Sequence, residues 1–228
     1  MKFDLHSHTR GSPDSWIKAK SLPAIAKSRG LDGIAITDHN QTKCWGEFLE
    51  SAKKEEIVPI LGEEIDVRPD SEQRVCEIIG LFMNERIDGF GKTPLEVVDL
   101  LHSQGALVVM PHPFDVFRNI LPEDQLRELS LKIDALETLN ARALKQSNEK
   151  AAHFAREFNL AETGGSDSHC SLEVGRAYTV TDAADGESLR QAILKRQTRT
   201  ECVGVTNFLI QKLASRSAKF IRKYFFKD

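Results

Sequence analysis

The sequence predicts an α/β fold in which a parallel β/α barrel carries a polar site at one end. Short β-rich runs alternate with amphipathic helical segments through most of the 228 residues, and this alternation favours βαβ units around a parallel sheet. Several apolar runs lead directly into histidines or acids, and a β/α barrel has its active site at these strand ends. The chain is also long enough for one such barrel domain with a substantial core.

The β-rich runs predict eight strands, near residues 2–6, 33–37, 57–61, 75–82, 106–110, 133–138, 160–163 and 176–181. Two of the helices between them have clear start and stop signals. Ser21 is expected to cap a helix that has a proline in its first turn and ends at Gly30. Thr93 and Glu96 form a capping box around a proline at the first helical position, and Gly105 ends that helix.

Two connecting segments have compositions typical of loops. The polar stretch from Pro69 to Gln73 predicts a hairpin-like turn. The stretch from Phe114 to Leu121 directly follows Pro113 and is expected to be a loop at the active site.

Composition and charge are those of a soluble globular protein, with 40% hydrophobic and 29% charged residues. The formal net charge of -3 gives no overall attraction to nucleic acid, so any such binding would need a local basic patch. No segment is apolar enough to span a bilayer, and the N-terminus has no hydrophobic stretch of the signal-peptide kind. We therefore expect a cytoplasmic protein.

The four cysteines are spread widely, without a C-x-x-C pair: Cys44, Cys76, Cys170 and Cys202. This spacing favours reduced thiols over a disulfide framework or a structural zinc site.

The C-terminal segment 208–228 differs in composition from the barrel domain predicted for residues 1–207. It is basic, and its apolar residues recur at near-helical spacing. Such a helix could bind a membrane surface or nucleic acid weakly, or it could lay its apolar stripe on the barrel and leave its charges in water. We expect packing on the barrel.

Five of the seven histidines lie where a predicted strand passes into a loop, namely His6, His8, His39, His112 and His169. Four of these five have a carboxylate or another histidine within two residues, which independent structural histidines would seldom show. His102 and His153 lie instead inside helical segments, and we interpret them as ordinary core or surface residues. Imidazole and carboxylate groups suit first-row divalent metals, so the pattern indicates a multinuclear metal site.

Six segments carry these residues in chain order: Asp4-Leu5-His6-Ser7-His8, Ser12-Pro13-Asp14, Thr37-Asp38-His39, Gly62-Glu63-Glu64, Pro111-His112-Pro113 and Gly165-Ser166-Asp167-Ser168-His169. The ordered set resembles the motifs of the polymerase and histidinol phosphatase (PHP) family over nearly the whole chain. Members of that family are distorted, TIM-like β/α barrels that usually hold three divalent metals and hydrolyse phosphoesters. The resemblance implies the same fold and type of reaction here.

The resemblance also implies which residues bind each metal. The residues that resemble the ligands of a first metal are His6, His8, Glu64 and Asp167. Glu64 would bridge to a second metal that His112 also holds, and it is preferred over Glu63 because the family's glutamate stands two residues after the glycine. The residues that resemble the ligands of a third metal are Asp14, His39 and His169. Asp38 is expected either to orient a ligating imidazole or to cap a helix.

One position departs from the family pattern. Many members have a histidine ligand of the second metal just before an Ile-x-Gly segment, whereas this chain has Glu77 there. A ligating glutamate would make the site harder and more negative and would favour Mn, Mg or Fe over Zn. Alternatively, Glu77 has left the metal and that site is weaker. We expect two or three divalent ions, with Mn, Fe or Zn as the candidates and Mg as a further option.

The resemblance predicts a metal-dependent phosphoesterase that hydrolyses a small phosphorylated metabolite or a nucleotide or oligonucleotide end through a metal-activated water. The chain has no glycine-rich phosphate loop, so metals and side chains must bind the phosphate. The candidate arginines are Arg10, Arg118, Arg142 and Arg176, of which Arg142 is the best placed. The alternatives are a metal-dependent amidohydrolase, although no candidate for a metal-bridging lysine is found, and a non-catalytic metal-binding regulatory module. The sequence leaves the oligomeric state open.

Overall fold

A computed structural model describes residues 1–70, 73–118 and 121–203 of the chain. The described strands are β1 (Lys2–Asp4), β2 (Gly33–Ile36), β3 (Val58–Val67), β4 (Cys76–Leu81), β5 (Leu107–Met110), β6 (Ala135–Asn140), β7 (Ala161–Gly165), β8 (Ala177–Val180) and β9 (Arg199–Cys202). The described helices are α1 (Leu22–Ser28), α2 (Trp45–Glu55), α3 (Pro94–Ser103), α4 (Glu123–Leu129), α5 (Lys145–Glu157) and α6 (Gly186–Leu194). A short 3₁₀ helix, Ala19–Ser21, precedes α1.

The strands form one sheet in the order β7-β6-β5-β4-β3-β2-β1-β8-β9, and this sheet curls into a nearly closed barrel. β1 approaches β7 from the other side, where the amide of Leu5 donates to the carbonyl of Gly164 at 3.4 Å. Beyond these strands, Ser7 pairs with Ser168 in parallel. The predicted α/β barrel of the distorted TIM type is therefore confirmed.

The prediction that the sheet is purely parallel was wrong for two strands. β4 is antiparallel to both of its neighbours, and β8 is antiparallel to β1. A parallel pair needs a crossover of a dozen or more residues, whereas only eight residues, 68–75, connect β3 to β4. The strand β9 was missed because its residues, Arg-Thr-Glu-Cys, show no apolar run, and it pairs only with β8 at the edge of the sheet.

The barrel interior is apolar directly beneath its polar end. The cluster that fills it takes residues from β1 to β7 and from α6, among them Phe3, Ile60, Ile79, Leu107 and Leu189. Two further clusters lie between the sheet and the outer helices, one with α1 and α2 and the other with α3, α4 and α5. The polar side chains at the end of the barrel thus lie against closely packed apolar side chains, which restrict their movement.

The capping box predicted for α3 is present. The Thr93 hydroxyl accepts from the amide of Glu96 at 3.3 Å, and the Glu96 carboxylate accepts from the amide of Thr93 at 2.7 Å. The cap predicted for α1 is only partly present, because Ser21 stands at the N-cap without a capping side-chain hydrogen bond.

Replacement of Thr93 by alanine should therefore lower the free energy of unfolding by about 1 kcal/mol, since it removes one half of the box. For a chain of this length the expected fall in melting temperature is about 2–4 °C. Calorimetry measures it, and Ser103→Ala in the last turn of the same helix is the control, because its hydroxyl caps no helix N-terminus. An unchanged melting temperature for Thr93→Ala would contradict the cap's contribution.

Three predicted segments lie partly or wholly outside the described residues. The predicted turn at 69–73 includes residues 71 and 72, and the predicted loop at 114–121 includes residues 119 and 120. The predicted tail helix, 208–228, lies wholly outside, so its packing on the barrel stays a prediction. None of the helices in the described ranges combines the length and apolar character needed to cross a membrane.

Candidate metal centre

The nine side chains that the sequence predicts as metal ligands meet at one end of the barrel. Parallel strands direct their C-terminal ends to the same face, and the chain leaves each strand at a polar residue. In this way β1, β2, β5 and β7 deliver His6, His8, His39, His112 and Asp167. Glu77 reaches the same end from the start of a strand, because β4 runs opposite to β3.

The β3 strand directs only one of its two adjacent glutamates, Glu63 and Glu64, into the site. Successive side chains of a strand point to opposite faces, so Glu63 and Glu64 cannot both enter the site. Glu64 lies among the histidines, whereas Glu63 is buried on the other face and accepts from the amide of Ile87 at 2.9 Å. Burial raises the pKa of Glu63 to about 7.

The predicted ligands of the first metal form the most tightly packed group. The two Nε2 atoms of His6 and His8 are 3.1 Å apart. Asp167 Oδ1 lies 3.7 Å from His6 Nε2 and 3.4 Å from His8 Nε2. The two oxygens of Glu64 lie 3.4 Å and 3.3 Å from the same two nitrogens. All four side chains are buried, so these donor atoms surround a point that bulk water does not reach.

Hydrogen bonds on the far side of each ring favour the tautomers that suit metal ligation. His6 Nδ1 lies 3.0 Å from Glu137 Oε1, which can only accept when ionised, so this nitrogen carries the proton. His8 Nδ1 lies 3.2 Å from the hydroxyl of Ser12, which itself donates to Asp38 at 2.9 Å and therefore accepts from His8. When the two rings are neutral, both Nε2 atoms then direct lone pairs at the same space. This is the usual way in which a protein orients ligating histidines.

The predicted second site lies on the other side of Glu64. His112 Nε2 is 3.1 Å from Glu64 Oε1 and 3.7 Å from Glu77 Oε2. The amide of His112 donates to Glu137 Oε2 at 2.9 Å, so Glu137 holds both His6 and the segment that carries His112. Glu64 thus stands between the first and second groups, where the resemblance places a bridging ligand.

The predicted third site is more open. Asp14 Oδ2 lies 3.4 Å from His169 Nε2 and 4.0 Å from His39 Nε2. His8, His39 and His169 each offer a ring nitrogen within 4.8 Å of the others. His39 Nδ1 also lies 3.1 Å from Glu64 Oε2, which connects this group to the other two.

Five atoms of the predicted ligands are buried without a hydrogen-bond partner among the described residues: Asp14 Oδ1, His39 Nδ1, Glu64 Oε2, Glu77 Oε2 and Asp167 Oδ1. A buried polar atom without a partner costs about 1–3 kcal/mol, and a charged one costs more. Such atoms are therefore rare in native proteins unless an ion or a water satisfies them. Oxygen and imidazole donors in this arrangement fit divalent metal ions.

The charges in the site perturb one another strongly. Burial opposes protonation of His8, but the adjacent carboxylates of Asp167 and Glu64 outweigh burial and raise its pKa to about 9. Burial likewise opposes ionisation of Asp167, yet the nearby Arg118 and His6 hold its pKa well below the usual range. Protons and metal ions compete for such imidazoles, so metal affinity should rise with pH.

His169 is the exception among the histidines of the site. Burial, together with the neighbouring His8 and the cation of Arg142, lowers its pKa to about 4. Arg142 Nη1 lies 2.5 Å from His169 Nδ1 and donates to the carbonyl of Asp167 at 3.3 Å. Burial, His8 and, to a smaller extent, Arg142 therefore favour the neutral form of His169, which is the form that binds a metal.

The four predicted phosphate-binding arginines differ in position. Arg118 reaches into the site, where its guanidinium contacts Asp167 and lies 3.8 Å from Glu77 Oε2. Arg142 lies in the site as well, but it is buried against His169. The contacts of Arg10 include the carbonyl of Trp16, and those of Arg176 include the carbonyl of Leu172. The phosphate-binding role of each arginine stays a prediction.

The sequence reasoning missed several polar residues that hold the ligands. Glu137 orients His6, and Asn140 donates to Asp167 Oδ2 at 3.3 Å. Buried Asp4 ties β1 to the loop after β7, because it accepts from the amides of Ser166 at 2.8 Å and Gly175 at 2.9 Å. A signal existed for Glu137 and Asn140, since both are polar residues at the end of a strand otherwise rich in apolar residues.

Asp38 caps none of the described helices, and its link to an imidazole is indirect. Its carboxylate accepts from the amide of Thr9 at 2.6 Å and from the amide of Ser12 at 3.2 Å. It therefore fixes the loop after β1 and reaches His8 only through the hydroxyl of Ser12. The two helical histidines lie outside the site, since both are exposed and His102 pairs with Asp134 at 3.0 Å.

Family models match most of the chain. The model of the PHP domain matches residues 4–167, and the model of a PHP-associated region matches residues 145–198. Two uncharacterized proteins of Methanocaldococcus jannaschii are each 33% identical to the chain. For MJ1587 the match covers 62% of this chain and 82% of the relative, and for MJ0417 it covers 78% of this chain and 69% of the relative.

Solved structures show the same fold. A two-domain protein of Bacteroides vulgatus, described as containing a predicted PHP-like metal-dependent phosphoesterase, superposes with a TM-score of 0.71 at 20% identity, over 94% of this chain and 69% of that one. An amidohydrolase of Chromobacterium violaceum with bound sulfate superposes with a TM-score of 0.65 at 16% identity, over 86% of this chain and 97% of that one. At these identities the likeness concerns the fold alone.

Proposed function

The chain belongs to the PHP family, whose members are metal-dependent, and from this premise we propose that it hydrolyses phosphate esters. The proposed substrates are small phosphorylated metabolites, nucleotides or oligonucleotide ends. The observation that carries the proposal is the group of nine ligand-type side chains at one end of the barrel. Five of them present buried atoms that have no hydrogen-bond partner in the part of the chain that the structure describes. A guanidinium group, that of Arg118, lies in the same group and supplies a cation suited to phosphate oxygens.

The proposed metal centre divides among the three groups of side chains described above. One ion would be held by His6, His8, Glu64 and Asp167. A second would be held by Glu64, Glu77 and His112, and a third by Asp14, His39 and His169. Divalent ions bound there would neutralise charge on a phosphoryl group and lower the pKa of a water molecule.

The remaining chemistry belongs to the chain's own residues. Arg118 is anchored by Asp115, whose carboxylate lies 3.2 Å from its Nε, so the guanidinium has a fixed orientation towards the site. It is also partly exposed at its side chain, which leaves it accessible to a substrate at the mouth of the site. We propose that Arg118 binds the phosphate and that Arg142, which is buried against His169, orients that histidine. Glu137 and Ser12 hold the rings of His6 and His8.

Carboxylates make up four of the nine proposed ligands, and carboxylates favour harder ions than imidazole does. We therefore propose Mn or Fe ahead of Zn, with Mg as a further option and with two or three ions bound. The second site is the most sensitive to this choice, because Glu77 stands where the resemblance to the family implies a histidine.

Glu77→His should shift the metal preference of the second site towards Zn, since imidazole suits Zn better than a carboxylate does. Glu77→Ala should weaken one bound ion by at least about tenfold and leave the others in place. Equilibrium dialysis followed by elemental analysis measures both changes, with Glu85→Ala as the control because this acid is exposed. Full metal content and wild-type activity in Glu77→Ala would remove Glu77 from the ligand set.

The experiment that tests the proposed function is a hydrolysis screen. The full chain is stripped with a chelator, reloaded with Mn, Fe, Zn or Mg, and assayed for phosphate release from phosphomonoesters, nucleotides and short oligonucleotides. We expect metal-dependent release from at least one class. Turnover of amide or lactam substrates without phosphate release would instead favour the amidohydrolase reaction, which the fold of the Chromobacterium violaceum neighbour makes the second candidate. Metal binding without turnover would favour a regulatory module.

A further inference from the structure

The two oxygens of the Glu77 carboxylate have different surroundings. Oε1 contacts Nη1 of Arg74, whereas Oε2 has no hydrogen-bond partner among the described residues. Oε2 lies 3.7 Å from His112 Nε2 and 3.8 Å from Arg118 Nη1. One oxygen is therefore held by a cation at the edge of the site, and the other points to the position of the proposed second metal.

Arg74 is itself held in place by the strand opposite. Its Nη1 lies 2.9 Å from Asp66 Oδ1, and Asp66 is the residue directly across from Glu77 in the pairing of β3 with β4. The other oxygen of Asp66 accepts from Asn40 at 2.9 Å and from Arg68 at 2.7 Å. The amide of Asp66 donates in turn to the side chain of Asn40 at 2.8 Å. Besides the bond to Arg74, three hydrogen bonds thus fix Asp66, which presents a fixed partner to Arg74.

We propose that Arg74 is a positioning residue that fixes Glu77 as a ligand of the second metal. This inference rests on the proposed function, in which Glu77 ligates. A glutamate side chain has more rotatable bonds than a histidine, so an unrestrained carboxylate would lose more conformational entropy when it binds an ion. Arg74 removes that freedom by holding Oε1, as Glu137 and Ser12 hold the outer nitrogens of His6 and His8.

Charge does not oppose this role. A lone guanidinium beside a metal site would repel the ion, but the carboxylate of Asp66, which pairs with both Arg74 and Arg68, offsets part of this charge. Orientation of the carboxylate is then the larger effect. Residues that hold metal ligands in this way usually contribute about 10–100-fold to metal affinity.

The test is titration of the full, chelator-treated chain with Mn²⁺, followed by calorimetry. We expect Arg74→Ala to weaken one class of site by about 10–100-fold and to leave the rest unchanged. Arg74→Lys should recover part of the loss, because it restores a cation without the planar fork. Arg68→Ala is the matched control. It removes a guanidinium from the same aspartate without touching Glu77, and it should change affinity by less than about twofold.

A double-mutant cycle separates positioning from a general effect on the fold. If Arg74 acts through Glu77, Arg74→Ala should cause no further loss in a Glu77→Ala background. Equal losses in both backgrounds, or a wild-type isotherm for Arg74→Ala, would overturn the inference while leaving the proposed function intact. A wild-type chain that binds no divalent ion would overturn the proposed function as well. Melting temperatures of the metal-free variants should agree, and a fall confined to Arg74→Ala would indicate a structural role instead.

Discussion

Replacement of Asp167 by asparagine is expected to abolish phosphoesterase activity while the fold stays intact. Asp167 Oδ1 lies within 3.7 Å of the Nε2 atoms of both His6 and His8 and has no hydrogen-bond partner among the described residues, so it is available to bind an ion in the proposed first site. An amide of the same shape carries no charge and holds a divalent ion poorly. Loss of an ion that contributes about 4 kcal/mol to the transition state lowers the rate by about 10³-fold.

The asparagine substitution is preferred over alanine for a backbone reason. Asp167 has a φ of 51°, in the left-handed region that aspartate and asparagine tolerate better than other non-glycine residues do. Asparagine therefore removes the charge without adding backbone strain. The variant is assayed for phosphate release and metal content, with Asp88→Asn as the control because the Asp88 carboxylate is largely exposed. Wild-type turnover by Asp167→Asn would refute the assignment of the first metal.

Replacement of Gly165 by alanine is expected to impair both the site and the stability of the protein. A Cβ atom at this position would lie 2.3 Å from Cβ of His6, 2.7 Å from its amide nitrogen and 3.0 Å from Glu137 Oε1. The first two of these atoms, Cβ and the amide nitrogen of His6, cannot move aside by a side-chain rotation, because their positions are set by the backbone that continues β1. Overpacking of this kind costs about 1–3 kcal/mol, which corresponds to a fall of about 2–12 °C in melting temperature.

The added methyl group should also push His6 away from its partners in the site, so metal content and activity should fall together with the melting temperature. Gly46→Ala is the matched control. Gly46 lies in α2, a Cβ there meets nothing within 4 Å, and alanine is the better helix former, so this variant should be as stable as the wild type or slightly more stable. A Gly165→Ala protein with the wild-type melting temperature and full metal content would show that β1 and β7 separate easily.

The positions of the ligands could be predicted because each depends on local information. An apolar run followed by a histidine or an acid marks the end of a strand, and parallel strand ends converge. This rule places His6, His39 and His112 at one end of the barrel, where the structure has them. A helix N-terminus could be predicted equally well where the sequence contains both residues of a capping box, and the box of Thr93 and Glu96 is present.

Strand direction and long-range hydrogen bonding could not be predicted in the same way. An antiparallel strand and a parallel one have similar apolar runs, so nothing within β4 indicates its direction. The role of Asp38 depends on which loop folds over it, and the loop after β1 does so. The role of Glu137 could not be predicted from the histidine motifs, because it depends on contacts with residues distant along the chain. Its partners are the side chain of His6 and the backbone amide of His112.

The hairpin of β3 and β4 has a consequence for how the length of the chain can vary. It carries Glu64, Asp66, Arg74 and Glu77 within the stretch 64–77, and cross-strand pairing rather than the intervening loop sets the distance between the two ligands. Residues inserted into a connection between two strands cost little free energy, because loop-closure entropy grows only slowly with length. Insertions at residues 69–73 should therefore be tolerated, whereas an insertion between Arg74 and Glu77 would shift the arginine out of reach of the carboxylate. Relatives with turns of different length would then be expected to differ before this arginine and to keep a constant spacing after it.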